Sequence, residues 1–131
     1  MSIITVIAER EIKRLALTPN LHLMKFRRMM MNKLLQVDFD YSGPFGEEMA
    51  NALIGLAESI NHEPGMIWKI WTESEKAKLG GGIYLFDNES SALAYLKMHT
   101  ARLNAMGIKD VRGQIFDVNV PLSNINKGPI K

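Results

Sequence analysis

Tyr95, His99 and Arg102 fall at i, i+4 and i+7, a spacing that sets all three along one edge of a helix. A neutral imidazole with a reference pKa near ~6.5 can accept a phenolic proton close to operating pH, and a guanidinium can hold the anion left behind. His99 and Arg102 are therefore the candidate catalytic pair. A structural reading stands beside this one. A histidine on an apolar stripe also serves as a hydrogen-bonded core residue, and an arginine two turns along also serves to pair with a carboxylate.

Aromatic side chains and one amide complete the candidate set. Trp68, Tyr84, Tyr95, Phe39 and Asn61 are the candidate substrate-binding residues, each with a packing or helix-end alternative. Metal chemistry finds no support in the spacing. His22, His62 and His99 lie in separate segments, and no His-Glu-x-x-His or comparable ligand set exists. With no cysteine, the chain has no disulfide, thiolate metal site or cysteine nucleophile. Gly80-Gly81-Gly82 is too short and wrongly placed to cradle a phosphate.

The elements that must position these residues follow from period and punctuation. Leu34 to Phe39 alternates as a half-buried strand does. Ser42-Gly43-Pro44 turns the chain, and Pro44 suits the first position of a helix whose apolar stripe runs Phe45, Met49, Ala52, Leu53, Leu56, Ala57, Ile60. Glu47 and Glu48 complement its N-terminal dipole, and Pro64-Gly65 ends it. Met66 to Glu73 and Ile83 to Phe86 read as a hairpin, connected by Glu75 to Lys78 and the three glycines. Asp87 or Asn88 caps a second helix with Ala92, Leu96, His99, Leu103 and Met106 along one side and Gly107 as its stop. Val111 to Val118 supplies the last strand. The order βαββαβ is that of the ferredoxin-like α+β fold, with two helices on one face of a four-stranded antiparallel sheet.

Alternation also assigns faces. The apolar sets Leu35, Val37, Phe39 and Met66, Trp68, Ile70 are expected to face the helices, leaving Gln36, Asp38, Lys69, Trp71 and Glu73 on the open side. An indole on an uncovered sheet marks an interface, so Trp71 is the expected dimer contact.

A chain of 131 residues, 47% apolar, suits one domain. No apolar run is long enough to cross a bilayer, and the expected home is a reducing cytoplasm, away from any membrane. Residues 1–31 hold six basic and two acidic side chains, leaving ten basic against twelve acidic in the rest. Glu9 to Leu17 allows only about two helical turns before Pro19. Residues 1–30 therefore read as an extension outside a domain at 31–131. Met29-Met30-Met31 after Arg27-Arg28 suggests an internal translation start, the alternatives being a basic arm or a presequence, against which Glu9 and Glu11 count. RNA-recognition modules share the βαββαβ order, but Gly82-Ile83-Tyr84-Leu85-Phe86 lacks their basic and glycine–aromatic signature and the domain is mildly acidic, so no nucleic-acid partner is expected.

Gly43-Pro44-Phe45-Gly46, Leu56-Ala57-Glu58-Ser59-Ile60-Asn61, Glu63-Pro64-Gly65, the run from Trp68 to Glu75, Gly82 to Phe86, Ser91 to Leu96, His99 to Leu103, Phe116 to Asn119 and Pro121-Leu122-Ser123 follow one another as in a known family. The chain from Met31 to Asn126 resembles the YdhR-type monooxygenases. That resemblance implies a dimeric α+β barrel and kinship with oxygenases that act on phenolic or quinol-like aromatics without metal or flavin. The implied partners are a small aromatic substrate, molecular oxygen and a second copy of the chain, with no cofactor. The rival reading is a non-catalytic dimer that binds a small aromatic, because fold and pocket alone do not separate binding from turnover.

Overall fold

Four strands pair into a single sheet, with a long helix and two short ones against one of its faces. The structure is a computed structural model that describes residue 3 and residues 21–130. In chain order the elements are α1 (Leu21–Met30), β1 (Lys33–Asp40), α2 (Gly46–Ala52), α3 (Ile54–Ile60), β2 (Met66–Ser74), β3 (Leu79–Phe86), α4 (Glu89–Ala105), β4 (Arg112–Asp117) and α5 (Val120–Ile125). The sheet order is β2-β3-β1-β4, every neighbouring pair antiparallel. This is the expected ferredoxin-like α+β arrangement. The expected turns at Glu9 to Leu17 lie outside the described residues. No described helix is long and apolar enough to cross a membrane.

β1 carries the clearest alternation. Leu35, Val37 and Phe39 are buried in the core with Tyr84, Phe86, Tyr95 and Leu103, while Gln36 and Asp40 are exposed. Lys33 is also buried, and its ammonium is paired with Asp117 across the sheet. α4 begins where expected: the Asn88 side chain accepts from Ser91 N at 2.8 Å, and Gly107, at φ 89°, follows its last turn. α4 packs against β1, β3 and β4. Gly113 makes room for it, since a Cβ there would meet Leu96 Cδ1 at 2.4 Å.

Four local expectations are corrected. The single helix expected after Pro44 is two pieces, α2 and α3, separated at Leu53 (φ −111°, ψ 13°), with poorly helix-forming Gly55 just beyond the break. Pro44 lies ahead of the helix, and Phe45 is its N-cap. The three glycines belong to β3 and not to the hairpin connection. β1 and β2 flank β3 so closely that a Cβ on Gly81 would lie 2.0 Å from Val37 O. The connection is Glu75 to Lys78 alone, with Ala77 N donating to Ser74 Oγ at 3.1 Å and Lys78 at φ 57°. Last, α5 was not foreseen. Asn119 caps it by accepting from Leu122 N, and Pro121 sits in its first turn, where a missing N–H costs nothing.

The largest correction is to the faces of β2. Met66 pairs with Phe86, but the next partner, Leu85, meets Trp68, so Ile67 is an extra residue in a β-bulge. Beyond it Lys69 stands opposite Tyr84, Trp71 opposite Gly82 and Glu73 opposite Gly80. Tyr84 and Gly82 in turn pair with Leu35 and Val37, both on the helix-covered face. Directly opposed residues share a face. Lys69, Trp71 and Glu73 therefore point toward the helices, and Trp68 and Ile70 point away, the reverse of the expectation. Met66, ahead of the bulge, packs against the core as expected. Gln36 and Asp38 also lie on the open side as expected, in register with Ile83 and Arg112.

Candidate active site

The bulge turns three functional side chains of β2 inward, and α2 and α3 stand over them without filling the space. Between them lies a cavity of about 620 Å³. Its helix wall is largely apolar, with Met49, Leu53, Ile54, Ala57 and Ile60, and Asn61 at the end of α3. Its sheet wall is Lys69, Trp71, Thr72 and Glu73. Glu73 also ties the two walls together, its carboxylate accepting from Gly46 N at 3.0 and 3.2 Å. A smaller chamber of about 60 Å³ adjoins it, sharing Met49, Leu53, Lys69 and Trp71 and reaching Phe39, His99, Leu103 and Ile108.

Lys69 stands at the junction of the two. Its Nζ lies 3.3 Å above the centre of the Trp71 ring and 4.7 Å from that of Tyr84. The stem can lie along the sheet because Gly82 has no side chain; a Cβ there would come 2.7 Å from Lys69 Cε. Burial, and then the charge on Arg102, lower the pKa of Lys69 to about 7.

His99 is 4% exposed and stacks on Tyr95, ring centres 5.1 Å apart. Arg102 Nη2 lies 2.9 Å from His99 Nδ1. Guanidinium can only donate, so Nδ1 is the acceptor and the ring hydrogen of neutral His99 sits on Nε2. Burial, then Lys69 and Arg102, lower the pKa of His99 to about 3. Burial and the neighbouring cations thus favour the uncharged ring, whose Nδ1 lone pair is engaged by Arg102. Arg102 Nε is buried with no hydrogen-bond partner.

The remaining candidates separate. Tyr84, under Lys69, and Tyr95 are both buried and joined hydroxyl to hydroxyl at 3.1 Å. Burial raises the pKa of each. Phe39 lines the inner chamber and Asn61 the outer cavity. Trp68 lines neither. It occupies the outer face, where its Nε1 donates to Pro129 O at 2.8 Å, so its expected place on the helix-facing side is overturned. Trp71 is at the cavity and not on the open face that its expected dimer role presupposed. Sequence reasoning missed Lys69 altogether. Its only signal was a lysine between two tryptophans in a strand, and strict alternation assigned it to the wrong side.

Among the described residues no three His, Asp or Glu side chains converge as metal ligands. No curated protein matches the chain. Among solved structures, an antibiotic biosynthesis monooxygenase, termed putative, from Deinococcus radiodurans aligns at 12% identity over 66% of this chain and 92% of that one, with a TM-score of 0.50. A protein of unknown function from Nitrosomonas europaea aligns at 16% identity over 70% and 92%, also at 0.50. A variant of SnoaB, a cofactor-independent oxygenase from Streptomyces nogalater, aligns at 13% identity over 67% and 93%, at 0.47. At such identities the likeness concerns the fold. A family model carries the assignment further, matching residues 34–129, and the chain belongs to the family it describes, "Putative mono-oxygenase ydhR".

Proposed function

We propose that this chain is a cofactor-independent monooxygenase that takes a small phenolic or quinol-like aromatic into the cavity between β2 and the α2–α3 pair. The observation that carries this reading is the junction at Lys69 and Trp71, where an indole face and a desolvated amine meet beside a largely apolar helix wall. A volume of about 620 Å³ suits a small ring system, and an indole wall suits a planar one. Cofactor-free oxygenation needs an electron-rich substrate anion, an apolar space that admits oxygen and a group that handles a proton. In the overall reaction a ring methylene becomes a carbonyl, or a quinol ring C–H becomes C–OH as the ring is oxidised to the quinone; one atom of O₂ enters the product, the other leaves as water, and the substrate supplies all four electrons.

Oxygen uptake with a panel of quinols, naphthols and hydroxyaryl ketones tests the reading, followed by labelling with ¹⁸O₂. One labelled oxygen in the product and one in water is expected. Binding of these compounds without oxygen uptake would establish the non-catalytic reading in its place.

The same proposal includes a homodimer built through the outer face of the sheet. Ile70 is 53% and Phe116 43% exposed there, beside Gln36 and Ile83, while the C-terminal segment covers Trp68. Two such faces packed across a twofold axis would remove this apolar surface from water. Sedimentation of Ile70→Lys over a dilution series should show readier dissociation than the parent chain, and equal behaviour would remove this face from the proposal.

A further inference from the structure

We propose that Lys69 is the catalytic base of this cavity, taking the hydroxyl proton of a bound aromatic and then holding the phenolate with the ammonium so formed. This rests on the monooxygenase reading, which supplies the hydroxyaromatic class, and it replaces the role expected of His99.

Lys69 lines both the outer cavity and the inner chamber, and its Nζ, lying over the Trp71 ring, borders the space a ligand hydroxyl would enter. The other titratable groups around it are unsuited. His99 offers a hydrogen on Nε2 and has no free lone pair, because Nδ1 accepts from Arg102. Arg102 does not release a proton. The Tyr84 and Tyr95 hydroxyls are buried and bonded to each other. Glu47, Glu58 and Glu73 lie on the exposed rim, and carboxylates are about six pKa units too weak to match a phenol.

Among the described residues no carboxylate forms an ion pair with Lys69. A lysine that is half-buried, beside an arginine and without an acidic partner, has a cause to give up its charge before substrate arrives and to regain it when an anion forms. The step is balanced. The phenol O–H bond breaks, its proton bonds to the Nζ lone pair, and the bonding electrons stay on oxygen, so two neutral groups become an ion pair. The Trp71 face, 3.3 Å away, stabilises the ammonium, and Gly82 leaves the stem room to stay in place.

A phenol whose ionised form absorbs at longer wavelength tests this without requiring turnover. 4-Hydroxyacetophenone would be titrated with the protein at a pH above the lysine's pKa and below the probe's own. The parent chain should show the phenolate band of the bound probe. Lys69→Met and Lys69→Gln should lose it while retaining the parent's near-ultraviolet dichroism, and Trp68→Ala, on the outer face, should keep it. Turnover of any substrate found by oxygen uptake should fall about a hundredfold or more in Lys69→Met. Absence of the band in the parent chain, or its persistence in both lysine variants, overturns the proposal. A lysine-dependent band in a protein that consumes no oxygen with any phenol would leave Lys69 as the base and sink the oxygenase reading alone.

Discussion

Trp68 and Trp71 are three residues apart on one strand and live in different environments. Trp68, on the outer face, is held by a backbone carbonyl from Pro129 and serves to fasten the end of the chain. Trp71, on the inner face, meets a lysine ammonium and an open cavity. The two faces differ in how their polar groups are satisfied. On the outer face Arg112 pairs with Asp38 and Asp40 in contact with water. On the inner face, among the described residues, Lys69, His99 and Arg102 form no ion pair, and burial first, then neighbouring positive charge, lowers the pKa of Lys69 and of His99. A sheet face that gains solvent or a partner needs only fastening. One that keeps a space needs groups whose charge is held in check until a ligand fills it.

The most severe way to break this comparison is to move β2 by one residue. Deleting Ile70 should turn Trp71 and Glu73 outward, abolish binding of hydroxyaromatics and lower the unfolding midpoint by about 10 °C or more, the equivalent of roughly 2 kcal/mol in a domain of this size. Deleting Ile67 should do neither, because Met66 and Trp68 already face successive partners and the strand would simply lose its bulge. Calorimetry and ligand titration on both deletions check this.

Next come the tryptophans themselves. Trp71→Ala should weaken binding of an aromatic ligand by about thirtyfold, or roughly 2 kcal/mol, while changing stability little. Trp68→Ala should leave binding within about twofold and cost about 1 kcal/mol of stability through the lost hydrogen bond to Pro129. Isothermal titration and denaturant unfolding separate the two effects, and identical behaviour would dissolve the distinction between the faces.

A pH series sharpens the electrostatic half of the comparison. Both shifted bases are harder to protonate in the folded chain than in the unfolded one, so the unfolded state binds more protons between the two values of each. Stability should therefore rise with pH from about 3 to ~6.5 through His99, and from about 7 to ~10.5 through Lys69. His99→Gln should flatten the acid limb and Lys69→Met the alkaline one, as read from unfolding midpoints. The smallest effect is expected from removing residues 1–30. α1 has no buried residue, and the family match begins at residue 34, so the midpoint should move by less than a few degrees.

Much of the fold was legible because local signals agreed with one another. Leu35, Val37 and Phe39 alternate without interruption, Asn88 stands before an apolar stripe and Gly107 after it, and each signal acts within a few residues of itself. Part of the candidate cavity lining was legible as well. His99, Tyr95 and Arg102 do share an edge of α4, and Phe39 and Asn61 do reach the cavity. Lys69 and Trp71 were assigned to the opposite face, since one bulged residue inverts every later position of a period-two pattern.

The sequence by itself determined the strands, the main helix, their order and the family, because period, caps and ordered motif blocks are properties of the chain taken a few residues at a time. Tertiary structure alone decided which face β2 presents, that three glycines lie inside a strand, and that Lys69 stands where the cavity and the inner chamber meet. Those outcomes depend on how closely β1 and β2 flank β3, and on where α2 and α3 stand over β2. Both are fixed only when residues distant in sequence are brought together.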